Sequence, residues 1–321
     1  MCTGGAGADI PHRPSLRQEC FGWEVTVLNK VLGNKKAIAV YVLPGLILYT
    51  CFLIAPVVWS FYYTLYDGSP GIKWNFCGLN NYLRLFSDKN FMKSLFVNCK
   101  YILVVMAGQI ILGLAMALMF HFWLKRFKSF VRTIVFFPVV LPIVAVAQLF
   151  TKIYEIQPHY GLLNSILAGI GLENLVQPWL GQARTAFGSL CAMDIWTSIG
   201  FYAIIFYGAL LDVSADIIEA ARIDGARAFQ LLRYILLPLI RPIMVVCLVF
   251  SFTGTVKMFE SALTLTNGGP SGATKSLSLY MYTTAFTYSK VGYASVIALV
   301  VFALCVAGSF FIRKMDKDIT T

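Results

Sequence analysis

The sequence predicts an all-α, polytopic membrane protein with six transmembrane helices. Of its 321 residues, 58% are hydrophobic and only 13% are charged, roughly half the charged fraction of an ordinary soluble domain. Apolar stretches of about twenty residues, the length that crosses a bilayer as a helix, recur along the chain. The predicted spans are residues 37–62, 95–120, 131–150, 186–211, 239–259 and 291–312.

The distribution of Lys and Arg predicts the orientation of these spans. With the N-terminus inside, 16 of the 26 Lys and Arg residues fall in inner segments, nine fall in outer segments, and Lys100 lies within the second span. Since the inner segments of membrane proteins are enriched in positive charge, both termini are expected in the cytoplasm. The basic residues flank apolar spans, so the net charge of +11 does not indicate nucleic-acid binding.

The first 36 residues are predicted to form a cytoplasmic tail. Apolar and charged positions alternate over residues 15–33, which is compatible either with an amphipathic helix on the inner membrane surface or with an unstructured tail. No apolar run in this tail is followed by a small-residue cleavage site, so no cleaved signal peptide is expected.

No catalytic or metal-binding pattern is found in the sequence. The three histidines, His12, His121 and His159, are far apart, and the eight cysteines show no metal-ligand spacing, so we expect the cysteines to be small buried hydrophobic residues. The phosphate-binding pattern GxxxxGK[ST] is missing from the sequence. We therefore expect a protein that is not an enzyme and holds no cofactor, so that ATP and Mg²⁺ would have to bind a partner.

Two prolines interrupt the third predicted span. Pro138 and Pro142 would loosen the helical hydrogen bonds, which is tolerated where neighbouring groups satisfy the freed carbonyls. Two interpretations stay open: a helix that faces a cavity or another subunit, or a plain packing kink.

The charged segment between the fourth and fifth spans is predicted to be a helix–turn–helix on the membrane surface. Ser214 is a good N-cap, and Asp216 and Glu219 would follow in the first turns, where negative charge suits the helix dipole. Gly225 permits a left-handed residue at the turn. Pro238 is expected to end the second helix.

The spacing in this segment resembles the cytoplasmic coupling loop of permease subunits of ABC importers. The pattern EAA, three residues, G, nine residues, IxLP is filled by Glu219, Ala220, Ala221, Gly225, Ile235, Leu237 and Pro238. In that family the loop docks into a groove on an ATPase subunit, and the small alanines would let the partner approach closely. The resemblance assigns coupling to Glu219, Ala220, Ala221, Asp224 and Gly225; the alternative is an ordinary charged connector.

Three further segments resemble sugar-importer permeases in the same order along the chain, so the resemblance covers roughly residues 37–315. They are GLNNYLRLF with FMKSLFVN (78–86 and 91–98), the third span (132–150), and TNGGPSGATKSLSLYMYTTAF (266–286). The implied domains are the tail 1–36, a type I ABC importer permease domain 37–315 with the coupling loop 212–238, and a cytoplasmic tail 316–321.

The family implies a permease subunit that moves a carbohydrate, most simply an oligosaccharide, across the cytoplasmic membrane of a bacterium. It also implies three kinds of partner: a second permease, two ATPase subunits and an extracytoplasmic solute-binding protein. The alternatives are a permease for a glycerol-phosphate-type anion and a stand-alone secondary transporter or membrane enzyme. The last would need an internal repeat or a catalytic cluster, and neither is visible.

Polar residues within spans indicate a water-filled cavity, because they are costly in lipid. Asp194 lies about 12 Å into the fourth span from its outer end at helical rise, and Gln109 lies in the middle of the second span. Asp194 is expected to accept hydrogen bonds from substrate hydroxyls; an ion pair with Lys100 or Lys257, or a hydrogen bond to a neighbouring helix, is the alternative.

The fourth and fifth spans resemble those of maltose-importer permeases. By that resemblance Trp196 matches a sugar-contacting tryptophan, Phe201 stands in place of a tyrosine, and Ser251 matches a polar contact. Aromatic rings pack on sugar C–H faces while short polar groups bind hydroxyls, although helix packing would equally explain Trp196 and Phe201. The sequence departs from those permeases at four positions and so predicts that the ligand is not bound as it is there: Asp194, Ser198, Thr255 and Met258.

Overall fold

The structure is a computed structural model, and it describes residues 35–124 and 126–320, without the side chains of residue 37 and residues 317–320. The stretch predicted to be amphipathic, residues 15–33, lies outside the described residues, as do Cys2 and Cys20. The described residues up to Ser60 belong to one compact unit, and Phe61 begins a second.

The described part of the first unit is one apolar helix, whose last three residues, 61–63, belong to the second unit. This helix, α1, comprises Lys35–Tyr49, a π-helical turn at Thr50–Ile54 and Ala55–Tyr63. Ile38–Tyr63 is long and apolar enough to cross a membrane, in agreement with the predicted first span.

The second unit begins with a short antiparallel hairpin that the all-α prediction did not include. Its strands are β1 (Tyr66–Ser69) and β2 (Lys73–Phe76), with Tyr66 opposite Phe76. The Tyr66 ring stacks on Trp74 at a centroid distance of 4.9 Å. Tyrosine and tryptophan favour strands through cross-strand pairs of this kind.

The helices of the second unit follow in chain order. They are α2 (Asn80–Ser87), α3 (Lys89–Leu118, with a π-helical turn at Met119–Trp123), α4 (Lys128–Val140), α5 (Ile143–Ile153), α6 (Leu162–Gly169, followed by a 3₁₀ turn at Glu173–Leu175), α7 (Ala183–Leu211), α8 (Ala215–Ile223), α9 (Ala228–Leu231, a π-helical turn at Leu232–Leu236, and Leu237–Leu239), α10 (Arg241–Val256), α11 (Glu260–Thr266), α12 (Leu277–Tyr282, with a π-helical turn at Thr283–Thr287) and α13 (Val291–Thr320).

Two of the candidate spans are bent helix pairs, and in the second pair the part before the bend, Ala228–Leu239, lies almost wholly in the predicted coupling loop. Within the described residues, four single helices could cross a membrane: Ile38–Tyr63, Lys89–Trp123, Ala183–Leu211 and Val291–Asp316. The other two spans are helix pairs, Lys128–Val140 with Ile143–Ile153 bent by 100°, and Ala228–Leu239 with Arg241–Val256 bent by 74°. Six spans result when each bent pair is counted as one.

The position of the first bend follows from proline chemistry. Leu141 is extended, with ψ 139°, because the residue before a proline avoids the helical region, and Pro142 then starts α5. The expectation that Pro238 ends the second loop helix was wrong: helical structure continues to Leu239, and the chain turns at Ile240 before Pro242. Pro238 is tolerated in the first turn of the short helix Leu237–Leu239, where no backbone N–H is required.

The core is built around the packing of α3 against α7. Gly113 of α3 lies where a β-carbon would approach Tyr202 of α7 to 2.7 Å, and Gly200 of α7 lies against the backbone carbonyl of Val135 in α4. Phe206 and Phe120 are fully buried between these helices. Small residues at these crossings let the helices approach closely.

The last helix extends into the predicted C-terminal tail. Helix α13 continues to Thr320, and the Asp316 carboxylate binds the Arg241 guanidinium, Oδ1 to Nε 2.7 Å. Among the described cysteines, Cys191, Cys247 and Cys305 are buried as expected, whereas Cys51 and Cys99 are exposed.

Candidate functional site

A pocket of about 500 Å³ opens between α3, α7, α10 and α11. Several polar side chains line this pocket, although the long helices that carry them are otherwise mostly apolar. The lining residues are Tyr101, Gln109, Ile143, Asp194, Thr197, Ser198, Tyr202, Ser251, Gly254, Thr255, Lys257, Met258, Phe259, Glu260 and Ser261.

Asp194 is the buried acid of this pocket, with 9% of its surface exposed. Its Oδ2 accepts a hydrogen bond of 2.5 Å from the Tyr101 hydroxyl, and Ser261 also lines the pocket beside it. Within the described residues Asp194 forms no ion pair, and the Lys100 ammonium lies over the Phe96 ring instead, at 4.3 Å. Of the alternatives weighed for Asp194, the hydrogen bond to a neighbouring helix is therefore the one present.

A chain of hydrogen bonds links the three long helices across the pocket. Ser251 of α10 donates to Gln109 Oε1 at 2.6 Å, and Gln109 Nε2 donates to Ser198 Oγ at 2.8 Å. The Ser198 hydroxyl in turn donates to the backbone oxygen of Asp194 at 2.6 Å. Buried polar groups in a membrane protein persist when they are satisfied in this way, so the network fixes the rotation of α3, α7 and α10 about one cavity.

The mouth of the pocket carries charges of both signs. Lys257 and Glu260 lie at the junction of α10 and α11, close to the buried Met258. Together with Asp194, the lining contains two carboxylic acids and one ammonium group. This arrangement offers acceptors to hydroxyl groups and does not form a concentrated positive site.

The structure brings together five of the seven residues predicted to bind substrate, namely Asp194, Ser198, Ser251, Thr255 and Met258. Trp196 and Phe201 are the exceptions, because neither lines the pocket. The Trp196 ring packs on Phe150 at a centroid distance of 5.3 Å, and Phe201 packs edge-on against Tyr202. Trp196 therefore contacts a neighbouring helix, whereas Phe201 is exposed and its ring contact is with the next residue of its own helix. A sugar-binding role for both residues stays a prediction.

Sequence reasoning missed Tyr101, Tyr202 and Ser261 as pocket residues. A usable signal lies in α3, where Asn98, Tyr101 and Gln109 are buried polar residues spaced by three and eight positions, which keeps them on one helical face. Asn98 accepts from the backbone N–H of Leu277 at 3.2 Å. A polar stripe of this kind along an apolar span marks the side that faces away from lipid.

The predicted helix–turn–helix forms the second candidate site. Helix α8 begins at Ser214, whose hydroxyl accepts from the Asp216 backbone N–H at 3.3 Å. At the second helix the backbone N–H of Arg227 donates to Gln230 Oε1 at 2.8 Å. These caps satisfy N–H groups that a short exposed helix leaves open, so the loop holds a defined shape.

The exposed side of the loop carries most of the predicted coupling residues. Glu219, Ala220, Asp224 and Gly225 are exposed, whereas Ile218 and Ala221 are buried in the core that also holds Leu231 and Leu236. The expectation that Ala221 admits a partner surface is corrected here: its methyl group faces the chain's own core, because positions 218 and 221 lie on one helical face.

Gly225 supplies the change of direction between the two loop helices. Its φ is +81°, a left-handed conformation, and a β-carbon built on it would meet no described atom within 4 Å. The requirement for glycine is therefore one of backbone conformation and not of space.

Comparison with known proteins gives a consistent result. Residues 109–321 match the family described as "Binding-protein-dependent transport system inner membrane component". The probable ABC transporter permease protein YurN of Bacillus subtilis (strain 168) is 34% identical over 286 residues, which cover 88% of this chain and 97% of YurN. The trehalose/maltose transport system permease protein MalF of Thermococcus litoralis is 32% identical over 280 residues, 86% of this chain and 92% of MalF.

A solved structure has the same fold. One chain of a bacterial ABC transporter involved in the import of the acidic polysaccharide alginate aligns with a TM-score of 0.79 at 23% identity. The alignment covers 92% of this chain and 99% of that chain, so the two chains share one fold over nearly their whole length.

Proposed function

We propose a function for this chain from one premise: it belongs to the family of inner membrane components of binding-protein-dependent transport systems. It is a permease subunit of an ABC importer, and its substrate is a carbohydrate, most simply an oligosaccharide. The observation that carries the substrate class is the pocket of about 500 Å³, in which a buried carboxyl, three serines and a glutamine face one cavity.

The chemistry of the pocket suits a sugar. Asp194 and Gln109 supply strong acceptors, while Ser198 and Ser251 both donate and accept, so hydroxyls that exchange into the network replace its internal hydrogen bonds. Tyr101, Tyr202 and Phe259 supply ring surface beside them. The named relative from Thermococcus litoralis, a trehalose/maltose permease, supports the same class.

An anionic substrate of the glycerol-phosphate type receives no support from the pocket. Such a ligand needs cations that are not offset by acids, whereas Lys257 shares the lining with Asp194 and Glu260.

The proposed partners follow from the family and from the exposed loop. A second permease completes the channel, two ATPase subunits supply the energy, and an extracytoplasmic binding protein delivers the sugar. The loop would lie on the cytoplasmic side, with both termini, and Glu219 would contact the ATPase groove. For nucleotide to shift the transport equilibrium, the loop must bind the ATPase differently in the inward- and outward-open states.

A competition assay tests the substrate class. The complex is reconstituted in proteoliposomes with ATP inside, and uptake of a labelled oligosaccharide mixture is measured with either unlabelled neutral oligosaccharides or glycerol 3-phosphate in excess. Competition by a neutral oligosaccharide supports the proposal. Competition by glycerol 3-phosphate alone, with direct uptake of that anion, would overturn it.

A further inference from the structure

A second cavity, of about 520 Å³, lies where α2, α3, α12 and α13 meet. This is the end of the second unit opposite the helix–turn–helix. It is distinct from the pocket around Asp194, with no lining residue in common. The lining residues are Arg84, Ser87, Asp88, Lys89, Asn90, Lys275, Tyr280, Thr284, Tyr288, Lys290 and Tyr293. We call it the basic cavity.

Four cationic side chains and one carboxylate line the basic cavity, a formal balance of +4 − 1 = +3. The Arg84 guanidinium lies 4.9 Å from the centre of the Tyr293 ring, and the Lys275 ammonium lies 5.1 Å from that of Tyr280. Lys89 and Lys290 complete the cationic set. A concave site with this balance concentrates anions.

The one carboxylate, Asp88, forms no ion pair with these cations among the described residues. Its Oδ1 accepts from the backbone N–H groups of Asn90 and Phe91 at 2.9 and 3.3 Å, capping helix α3. Its Oδ2 accepts from the hydroxyls of Tyr280 and Tyr293 at 2.5 and 2.7 Å. Four donors occupy the lone-pair positions of the carboxylate, so its acceptor capacity is used inside the fold.

The cations are correspondingly short of partners. Within the described residues, Arg84 approaches one carboxylate, Asp67, at 4.0 Å between two exposed side chains, which is a weak pair. Lys89, Lys275 and Lys290 form no ion pair among the residues that the structure describes. Burial lowers the pKa of Lys275, and nearby Asp88 acts in the opposite direction; an anion in the cavity would favour its charged form.

The position along the spans places the basic cavity at headgroup level. Twenty positions separate Tyr293, in the first turn of α13, from Arg313, the first charged residue along α13, about 30 Å at helical rise and so about the thickness of the hydrocarbon core. Tyrosine rings collect at this boundary, and the basic cavity contains three of them, Tyr280, Tyr288 and Tyr293. Phe86 and Phe286, exposed by 72% and 73%, are close to it in sequence and offer contact to acyl chains.

We propose that the basic cavity binds the phosphate group of an anionic phospholipid of the outer leaflet. The Arg84, Lys275 and Lys290 side chains would contact the phosphate oxygens. The tyrosine rings would line the glycerol region, with the exposed phenylalanines beside the chains. The basic cavity shares no lining residue with the substrate pocket. The tests below can therefore support or overturn the lipid proposal whether or not the proposed transport function is correct.

Lipid retention tests the proposal. The full chain, purified with its co-assembling subunits, is placed in nanodiscs of phosphatidylglycerol and phosphatidylcholine (3:7), extracted into detergent, and examined by native mass spectrometry for retained phosphatidylglycerol. The test variant is Lys275→Gln with Lys290→Gln. The matched control is Lys73→Gln with Arg184→Gln, which removes two charges from exposed residues outside the basic cavity.

We expect retained phosphatidylglycerol to fall at least fivefold in the test variant and to stay within twofold of the unmodified chain in the control. Equal retention in both variants, or an equal fall, would overturn the proposal, because it would mean non-specific annular lipid or a general charge effect.

Two further arms separate other sources of the anion. Inorganic phosphate is titrated against the complex in phosphatidylcholine nanodiscs, and phosphate binding that the test variant loses, without any loss of phosphatidylglycerol, would overturn the lipid assignment in favour of a soluble phosphate. Binding of the extracytoplasmic protein is measured in parallel. If the test variant loses binding of this protein while its lipid retention is unchanged, the lipid assignment is overturned in favour of a protein interface.

Discussion

Asp194 is the residue on which the proposed substrate chemistry depends most. The nearby Tyr101 hydroxyl already donates to it, so a bound sugar must either share this acceptor or displace the tyrosine. Because a hydrogen bond to a charged group contributes about 1.5–3 kcal/mol, we expect Asp194→Asn to lower the uptake efficiency, kcat/KM, by roughly tenfold or more.

The measurement is ATP-driven uptake in proteoliposomes, with Asp67→Asn on the exposed hairpin as the control. Asn keeps the shape of the side chain but accepts more weakly, so folding should be preserved. Unchanged uptake and an unchanged substrate range for Asp194→Asn would remove Asp194 from the substrate site.

Asp88 gives a pH dependence that can be assigned to one residue. Burial disfavours its charge, but hydrogen bonds from Tyr280 and Tyr293 and from the backbone N–H groups of Asn90 and Phe91 outweigh burial and lower its pKa below the ordinary value of 3.8. A carboxyl with a lowered folded-state pKa stabilises the fold fully above its unfolded pKa, and that contribution is lost as the pH falls through the folded pKa.

We therefore expect the unfolding temperature of the unmodified chain to exceed that of Asp88→Asn at pH 7, and the difference to shrink as the pH falls below about 4. Thermal unfolding in detergent at pH 7, 5 and 3 measures the difference directly. A difference that stays constant or grows at pH 3 would contradict the assignment.

At the scale of elements, the crossing of α7 over α4 is set by a single glycine. A β-carbon on Gly200 would collide with the backbone carbonyl of Val135, whereas one on Gly208, two turns along the same helix, would meet no described atom within 4 Å. Overpacking of this kind costs about 1–3 kcal/mol. We expect Gly200→Ala to lower the unfolding temperature measurably and Gly208→Ala to leave it nearly unchanged; equal effects would mean that the helices do not cross this closely.

The loop between α8 and α9 depends on backbone conformation at Gly225. A β-branched residue there would adopt a left-handed φ at a cost on the order of 1–2 kcal/mol, without a steric clash. We expect Gly225→Val to leave the ATPase partly associated with the permease but to lower uptake per ATP hydrolysed, since the direction of α9 changes.

Gly225→Asn is the matched control, because Asn tolerates the left-handed region better than other side chains. ATPase co-purification and the ratio of uptake to hydrolysis are measured for both variants. Normal coupling in Gly225→Val would count against a mechanical role for this turn.

The sequence predicted these elements to different degrees. Long apolar stretches predicted the membrane helices. The sharpness of the bend before Pro142 was not predicted, but its position is explained by the avoidance of helical conformation at the residue before a proline. The turn at Ile240 was not predicted, because Pro238 was expected to stop the helix, and a proline in the first turn of a helix costs nothing in backbone hydrogen bonds. The hairpin was missed because two four-residue strands are below what periodicity can resolve.

The sequence predicted those site residues that are polar and therefore costly to bury in an apolar span. It did not predict residues whose place in the site depends on how a helix is rotated about its axis. Asp194 and Ser251 stood out as polar residues inside apolar spans, and both line the pocket. Trp196 was chosen by resemblance, but the packing of α7 turns it towards Phe150. Tyr101 was missed because its role depends on which face of α3 meets α7, a fact of tertiary packing.

For the whole molecule, helix α7 connects the two candidate sites. The pocket lies along the middle of α7, from Asp194 to Tyr202, and the exposed helix–turn–helix begins just after the end of α7, at Ser214. A helix of 29 residues spans about 43 Å at helical rise. Since its inner part is packed against α3 and α4, a displacement of the loop can move the pocket lining as a rigid element.

The central claim is that this chain moves solute only when a separate ATPase acts on the loop. The most direct measurement is accumulation of a labelled oligosaccharide in proteoliposomes that contain both permease subunits, the binding protein and ATP, with and without the ATPase subunits. We expect accumulation against the gradient only when the ATPase is present. Accumulation without any ATPase would show that transport does not require it and would overturn the claim.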